Sequence, residues 1–418
     1  MSETPVIPVG QHAPHRPAHR DPNVLRWLGA YASSMVGDNV YYLALSWAAV
    51  QAGSPAQAGI VMSVSALPRA VLMLAGGVIA DRWGPRRVVI GSDAVRCAAV
   101  LAVAALLFLT SPGLWPLALL ALVFGTVDAV FMPAVGALPA RITGTDQLAR
   151  VHGMRGLAIR FASIVGAPLG GLGVALGGAA SAFALAGLLI SISVPLLMSV
   201  RVRDLPAADA AAAPRGTPWS DLAAGLRYIR GHRVLAPLML AIALGDFGFV
   251  GPLNVGLTLL ADQRGWGASG MGAVLAGFGA GAGAISLLLT VRGRLPRAGL
   301  VAGYAILTGS VAIGALAFVP SLAAAVGVAL LVGLLAGLSG AMCGALLQTQ
   351  SDAACLGRVT AVSGLVSLGL APLSMPVAAA AIEAWGLGPV YVVSAAVCGL
   401  GGVVALAVPA LRHAELPH

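Results

Sequence analysis

Apolar runs of about 20 to 28 residues recur along this chain, each long enough to cross ~30 Å of hydrocarbon as a helix rising ~1.5 Å per residue. Charged residues make up only 9% of the 418, against 59% hydrophobic. A soluble domain carries roughly 25% charge, so this chain cannot clothe a water-facing surface of its size. Most of the 55 glycines, and Pro68, Pro133, Pro168, Pro252 and Pro372 among the 26 prolines, sit inside the apolar runs, where membrane helices tolerate them for close packing and kinks. The expected fold is therefore an all-α membrane protein in contact with the lipid bilayer.

The hydropathy pattern predicts twelve spans. Six occupy Val24–Ala52, Ala56–Ala80, Arg87–Thr110, Leu114–Ala140, Val151–Leu176 and Ala179–Val200. Six more occupy Val234–Leu260, Ala268–Val291, Ala298–Val319, Ser321–Gln348, Val359–Ala384 and Gly388–Leu411. The expected organisation is a tail over 1–23, a six-helix half over 24–200, a linker over 201–233, a second half over 234–411 and a tail over 412–418. The polar, Pro-rich tail lacks the pattern of a cleaved signal peptide, so the first span is expected to act as its own targeting signal.

Arginine placement orients the chain. All 24 basic residues are Arg. With the N-terminus inside, twenty fall in inside segments, one (Arg264) falls outside, and three (Arg69, Arg96, Arg160) fall within spans. The positive-inside rule then places both termini in the cytoplasm. The net charge of +9 does not indicate nucleic acid, because the basic residues are scattered in short pieces and form no continuous face.

The 201–233 linker is expected to end in an amphipathic helix, with Thr217 as N-cap and Pro218 at its first position. Trp219, Leu222, Leu226 and Ile229 share one face, suited to a membrane surface. The halves repeat. Gly37-Asp38 recurs as Gly245-Asp246, Leu148-Ala149-Arg150-Val151 as Leu356-Gly357-Arg358-Val359, and Pro85-Arg86 as Pro296-Arg297, at nearly one offset. Parallel six-helix repeats imply transport by rocking one half against the other.

The segment Gly77-Val78-Ile79-Ala80-Asp81-Arg82-Trp83-Gly84-Pro85-Arg86-Arg87 resembles the signature loop of the major facilitator superfamily, in the place where that family carries it. Gly37-Asp38-Asn39, Ser92-Asp93-x-x-Arg96 and the stretch Asp146–Gly171 resemble its branch of macrolide-efflux and siderophore-export proteins, drug:proton antiporters. The second-half copy of the loop, Arg292–Arg297, has lost its acid. Pro168 in Gly166-Ala167-Pro168-Leu169-Gly170-Gly171 is displaced by one position from the antiporter pattern, leaving Gly166, Pro168, Gly170 and Gly171 as expected packing residues. The resemblance implies that Asp81 latches the cytoplasmic side shut against the start of the eleventh span, near Arg358. Gly77, Arg82, Gly84, Arg86 and Arg87 are the other members of that gate.

Asp38, Asp128 and Asp246 fall near the midplane, with Arg69 and Arg160 well inside the membrane and Arg96 shallower. A charge there costs ~2.5–3.5 kcal/mol on insertion scales, so most must face one another or a wet cavity. They are either ion pairs that orient helices or a site for protons and substrate. None of the seven His lies at membrane depth, so a proton carrier must be a carboxylate. Asp38 is the first candidate and Asp128 the second. Tyr42, one turn from Asp38, either lines the cavity or packs in the core. Asp93 and Arg96, three apart, are expected to pair as a structural bridge.

Other chemistry finds no support. A chain without Lys has no P-loop, so ATP is not the direct energy source. Cys97, Cys343, Cys355 and Cys398 have no metal spacing, and His12, His15 and His19 fall in a Pro-rich tail. No metal, cofactor or enzyme activity is expected. The expected function is proton-coupled export of a small amphipathic molecule, such as a drug, antibiotic or natural product, by a monomer in the inner membrane. A lysolipid flippase or metabolite importer of the same fold, and a non-transporting sensor or scaffold, are the alternatives.

Overall fold

The computed structural model describes residues 18–110, 113–144, 147–202, 218–292, 297–352 and 355–415, all of it helix, turn or coil. Helix α1 spans Pro22–Ala52, α2 Pro55–Trp83, α3 Pro85–Leu109 and α4 Trp115–Ile142. Helix α5, Leu148–Met198, holds two arms joined at Gly177 and Gly178, where the dihedrals leave the helical region and Gly178 takes φ +74°. A left-handed residue without a Cβ reverses the chain here at little steric cost, as the sequence boundary between spans five and six anticipated.

The linker helix α6 covers Pro218–Gly231. Then come α7 (Leu235–Gly251), a π-helical turn (Pro252–Gly256), α8 (Leu257–Gln263), α9 (Gly267–Arg292), α10 (Ala298–Leu316), α11 (Leu322–Gln350), α12 (Leu356–Trp385), α13 (Leu387–Ala407) and the short α14 (Pro409–Arg412). Nine helices among the described residues are long and apolar enough to cross a membrane. The double-armed stretch Arg150–Met198 is one of them. Helices α1 and α2, at 31 and 29 residues, have the length as well.

Local chemistry sets the helix starts. The Asp21 carboxylate accepts from the Asn23 N–H at 2.8 Å ahead of α1. Ser54 and Gln57 form a capping box before Pro55 of α2. Gly84, at φ +81°, makes the turn from α2 into α3, which supplies a physical reason for the second glycine of the signature loop.

Packing sorts the helices into two groups. In the first, α1 and α3 lie along α5, and α2 along α4; in the second, α7 and α10 lie along α13, and α9 and α10 along α11. Two long seams cross between the groups, α5 with α9 and α2 with α12.

Two features add to the expected organisation. The seventh span is interrupted by the π-helical turn: Pro252 has no N–H to give, and its carbonyl instead accepts from the buried Tyr391 hydroxyl at 3.0 Å. The linker helix turns part of its apolar side to the protein, with Leu222 half-buried against the core. Ile229 is buried and Gly225 lies against the Arg358 backbone, whereas Leu226 is exposed. Tyr228 donates to Asp352 at 3.0 Å, so α6 docks on the foot of α12. Thr217 and the side chains of Trp219 and Asp221 lie outside the described residues, as do His12 and His15.

Candidate functional site

Four helices of the first half bring their charges to one point. On α1, Ser34, Asp38 and Tyr42 follow at four-residue intervals and share a face. Helix α3 supplies Asp93 and Arg96, α4 supplies Phe124, Asp128 and Phe131, and α2 supplies Arg69.

Arg96 is the hub. It is fully buried. Its Nη1 donates to Asp38 Oδ2 at 2.8 Å and to Asp128 Oδ1 at 3.1 Å. Its Nη2 donates to Ser34 Oγ at 3.1 Å and to Asp93 Oδ1. The guanidinium plane also lies 4.0 Å from the centre of the Phe131 ring, a cation–π contact. Asp93 accepts further from Ser34 at 3.1 Å and from Ser193. Asp128 Oδ2 accepts from Tyr42 at 3.2 Å and faces Arg69 Nη1 at 3.6 Å.

This cluster holds three carboxylates against two guanidinium groups, a formal excess of one negative charge. The unsatisfied atoms are specific. Asp38 Oδ1 is buried with no hydrogen-bond partner, as are the Nε atoms of Arg69 and Arg96. A buried polar atom without a partner is costly and rare, and such atoms concentrate where a site awaits a proton, water or ligand.

The cluster borders a cavity of about 410 Å³ between the halves. Tyr42, Arg69 and Asn39 line it from the first half, and Asn254, Ser367 and Phe278 from the second. One end of this cavity is shut. Gln51 donates to Asp262 at 2.7 Å, the Ala56 N–H donates to Glu383 at 2.9 Å, and the Ser46 and Thr258 hydroxyls meet. Glu383 thus answers an orphan N–H at the start of α2, where negative charge is favoured.

Small residues make the seams this close. A Cβ on Gly59 would lie 2.5 Å from the Ala379 Cβ, and one on Gly171 would lie 2.6 Å from the Ala268 carbonyl oxygen. Gly166 and Gly170 turn the other way, against Asn39 and Val40 of α1. Pro168 is half-buried beside them, where its backbone abuts Gly272 of α9. The one glycine-rich stretch therefore serves both the interior of the first half and the seam.

The structure separates residues that the sequence grouped by depth alone. Asp93, read as a partner of Arg96 only, belongs to the cluster with Asp38 and Asp128. Asp246 does not: it lines a different cavity of about 380 Å³ inside the second half, near Ser367. Arg160 lines a third cavity, of about 460 Å³, facing α9 and α11. Neither makes an ion pair among the described residues. Of the charges at membrane depth, Asp38 and Asp128 thus meet Arg69 and Arg96, with Asp93 added, in a three-acid, two-base cluster. Ser34 and Ser193 were not anticipated; the four-residue step from Ser34 to Asp38 was the available signal, whereas nothing local marks Ser193.

In the signature loop, Gly77 and Asp81 lie outside the residues whose side chains are described. Arg82 and Arg87 are exposed. Arg86 caps the last turn of α5, donating from Nε to the Leu197 carbonyl at 3.2 Å and from Nη2 to that of Met198. It is fastened within the first half. Arg358 sits under Gly225 of the linker helix.

Comparison with known proteins agrees with this architecture. Residues 27–373 match the family model of the Major Facilitator Superfamily. The enterobactin exporter EntS of Shigella boydii serotype 18 is 27% identical over 344 residues, covering 79% of this chain and 80% of that one. The enterobactin exporter EntS of Escherichia coli O139:H28 aligns to the same extent, with 27% identity. Among solved structures, the nucleoside transporter NupG superposes with a TM-score of 0.72 at 13% identity, covering 93% of this chain and 100% of that one. A POT family transporter in complex with 5-aminolevulinic acid superposes with a TM-score of 0.67 at 12% identity, covering 93% and 96%. At such identities these two likenesses concern the fold alone. With the family model spanning most of the chain and exporters among its relatives, this multi-pass membrane protein belongs to the Major Facilitator Superfamily and is a transporter, not an enzyme.

Proposed function

We propose that this protein exports a small amphipathic molecule across the bacterial inner membrane by proton antiport, with Asp38 as the proton carrier. The observation that carries this reading is the unpartnered Asp38 Oδ1, buried in a cluster that holds one carboxylate more than it has cations. A proton placed on Asp38 removes that excess. Arg96 then bears on Asp93 and Asp128 alone. Because Asp128 also engages Tyr42 and Arg69, both on the cavity wall, the change reaches the surface that faces the transported molecule. Competition between proton and substrate follows without direct contact between them.

The arginine distribution supports a topology of twelve spans with both termini cytoplasmic. In that topology the shut end, with Gln51, Asp262 and Glu383, faces outward, and the cavity is poised to load from the cytoplasm. Asp81, resembling the family's latch, would hold the opposite end closed in the alternate state. The siderophore-exporter relatives support export over import. A monomer suffices, since cavity and cluster are complete within one chain.

Inverted membrane vesicles carrying the protein test this reading. With an imposed proton gradient and a pH-sensitive dye, an added substrate should dequench the dye, and Asp38→Asn should abolish the response. Export that is indifferent to the gradient overturns the coupling. Movement of a labelled lysolipid with no response to soluble compounds would instead favour the flippase.

A further inference from the structure

We propose that Asp246 and Arg160 are the two poles of one binding site, which takes an amphoteric ligand: a cationic amine at Asp246, an anionic group such as a carboxylate at Arg160, and an apolar body between them. This deepens the transport reading and rests on it only in taking the cavities to face the transported molecule.

The two charges stand apart from all others at this depth. Asp38, Asp93 and Asp128 are engaged by Arg96 and Arg69. Asp246 and Arg160 have no ion-pair partner among the described residues, in a setting where a lone charge is costly and marks a functional site. Asp246 has hydroxyl groups nearby, Ser363 and Ser367, but among the described residues no cation lines its cavity. Among the described residues no acid lines the cavity of Arg160, where Ser286 and Phe278 are neighbours.

The cavities adjoin. Ala336 and Gly340, one turn apart on α11, line both. Residues that small let a narrow apolar body pass between the compartments. Each also touches the central cavity, through Ser367 on the Asp246 side and Phe278 on the Arg160 side. Volumes of about 380 and 460 Å³ suit a small molecule. Arg160 comes from the first half and Asp246 from the second. A ligand holding both therefore ties the halves together, which a ligand bound within one half would not do.

Equilibrium binding to the purified full-length protein tests this, using radiolabelled 8-aminooctanoate, octylamine and octanoate as matched probes. No gradient is present, so failure of proton coupling leaves the outcome untouched. The bipolar probe should bind about tenfold or more tightly than either single-charge probe, the scale of one charge-assisted contact. Asp246→Asn should weaken 8-aminooctanoate and octylamine about tenfold and leave octanoate unchanged. Arg160→Gln should weaken 8-aminooctanoate and octanoate and leave octylamine unchanged. Asp246→Glu and Arg160→Lys should retain the preference, separating charge from folding. Equal affinity for all three probes, no measurable binding of any, or equal loss of all three in either variant would overturn the proposal. So would an Asp246→Arg, Arg160→Asp exchange that restores the thermal stability lost in the single variants without any probe-dependent change, since the two would then form an internal pair.

Discussion

Arg96 donates to one oxygen of Asp38 at 2.8 Å while the other oxygen of the same carboxylate, also buried, meets no donor. The half-satisfied carboxylate and the arginine, whose two Nη atoms between them hold Asp38, Asp93, Asp128 and Ser34, behave differently under substitution, and that difference separates coupling from structure.

Asp38→Asn keeps the shape and removes the titratable group. Gradient-driven transport should vanish while exchange of labelled substrate across the membrane at zero gradient persists, and the two vesicle assays run side by side check this. Asp93→Asn should instead impair both, because its carboxylate serves Arg96, Ser34 and Ser193 at once.

Arg96→Met leaves three buried carboxylates facing one another with only Arg69 nearby. Loss of one partner from a buried ion pair costs about 3–5 kcal/mol. The expected outcome is a large fall in thermal unfolding temperature and poor recovery from the membrane. Arg96→Lys should not rescue it, since an ammonium lacks the planar fork that reaches Asp38, Asp93, Asp128 and Ser34 together.

The shut end can be locked. Ser46 and Thr258 meet hydroxyl to hydroxyl across the halves, each oxygen standing where a cysteine would carry its sulfur, so cysteines in their place should cross-link under oxidation. In a background with the four native cysteines replaced, transport should stop on oxidation and return on reduction. Continued transport by the cross-linked form would show that this end need not open.

Arg86 and Asp81 should part company. Arg86→Gln removes a helix cap at a half-exposed position, worth no more than about 1 kcal/mol, and transport should survive with a slightly lower unfolding temperature. Asp81→Asn should abolish transport without lowering stability. Paired melting curves and flux measurements distinguish the two.

Much of the fold is legible in the sequence because membrane spans declare themselves by length and hydropathy, and Gly177-Gly178, Gly84-Pro85 and Ser54-Pro55 punctuate them. The site is legible only in depth. Counting residues from a span's start places Asp38, Asp128, Asp246 and Arg160 near one level, but rotation about each helix axis decides which of them meet. A helix apolar on every side carries no stripe to fix that rotation. The fixing comes instead from glycine contacts such as Gly37 against Ile190 and Gly166 against Asn39, visible only after assembly. Hence the Asp93–Arg96 pairing could be expected, while its extension to Asp38 and Asp128, and the exclusion of Asp246, could not.

The π-helical turn at Pro252–Gly256 means that the seventh span carries a surplus residue within its winding. An α-helix advances roughly 100° per residue, so everything beyond the turn points about that far from where an unbroken α-helix would aim it. Thr258 and Asp262 owe their bearing toward Ser46 and Gln51 to this offset. Deleting a single residue within the turn would leave length, hydropathy and composition almost unchanged, yet swing the clasp between the halves out of line.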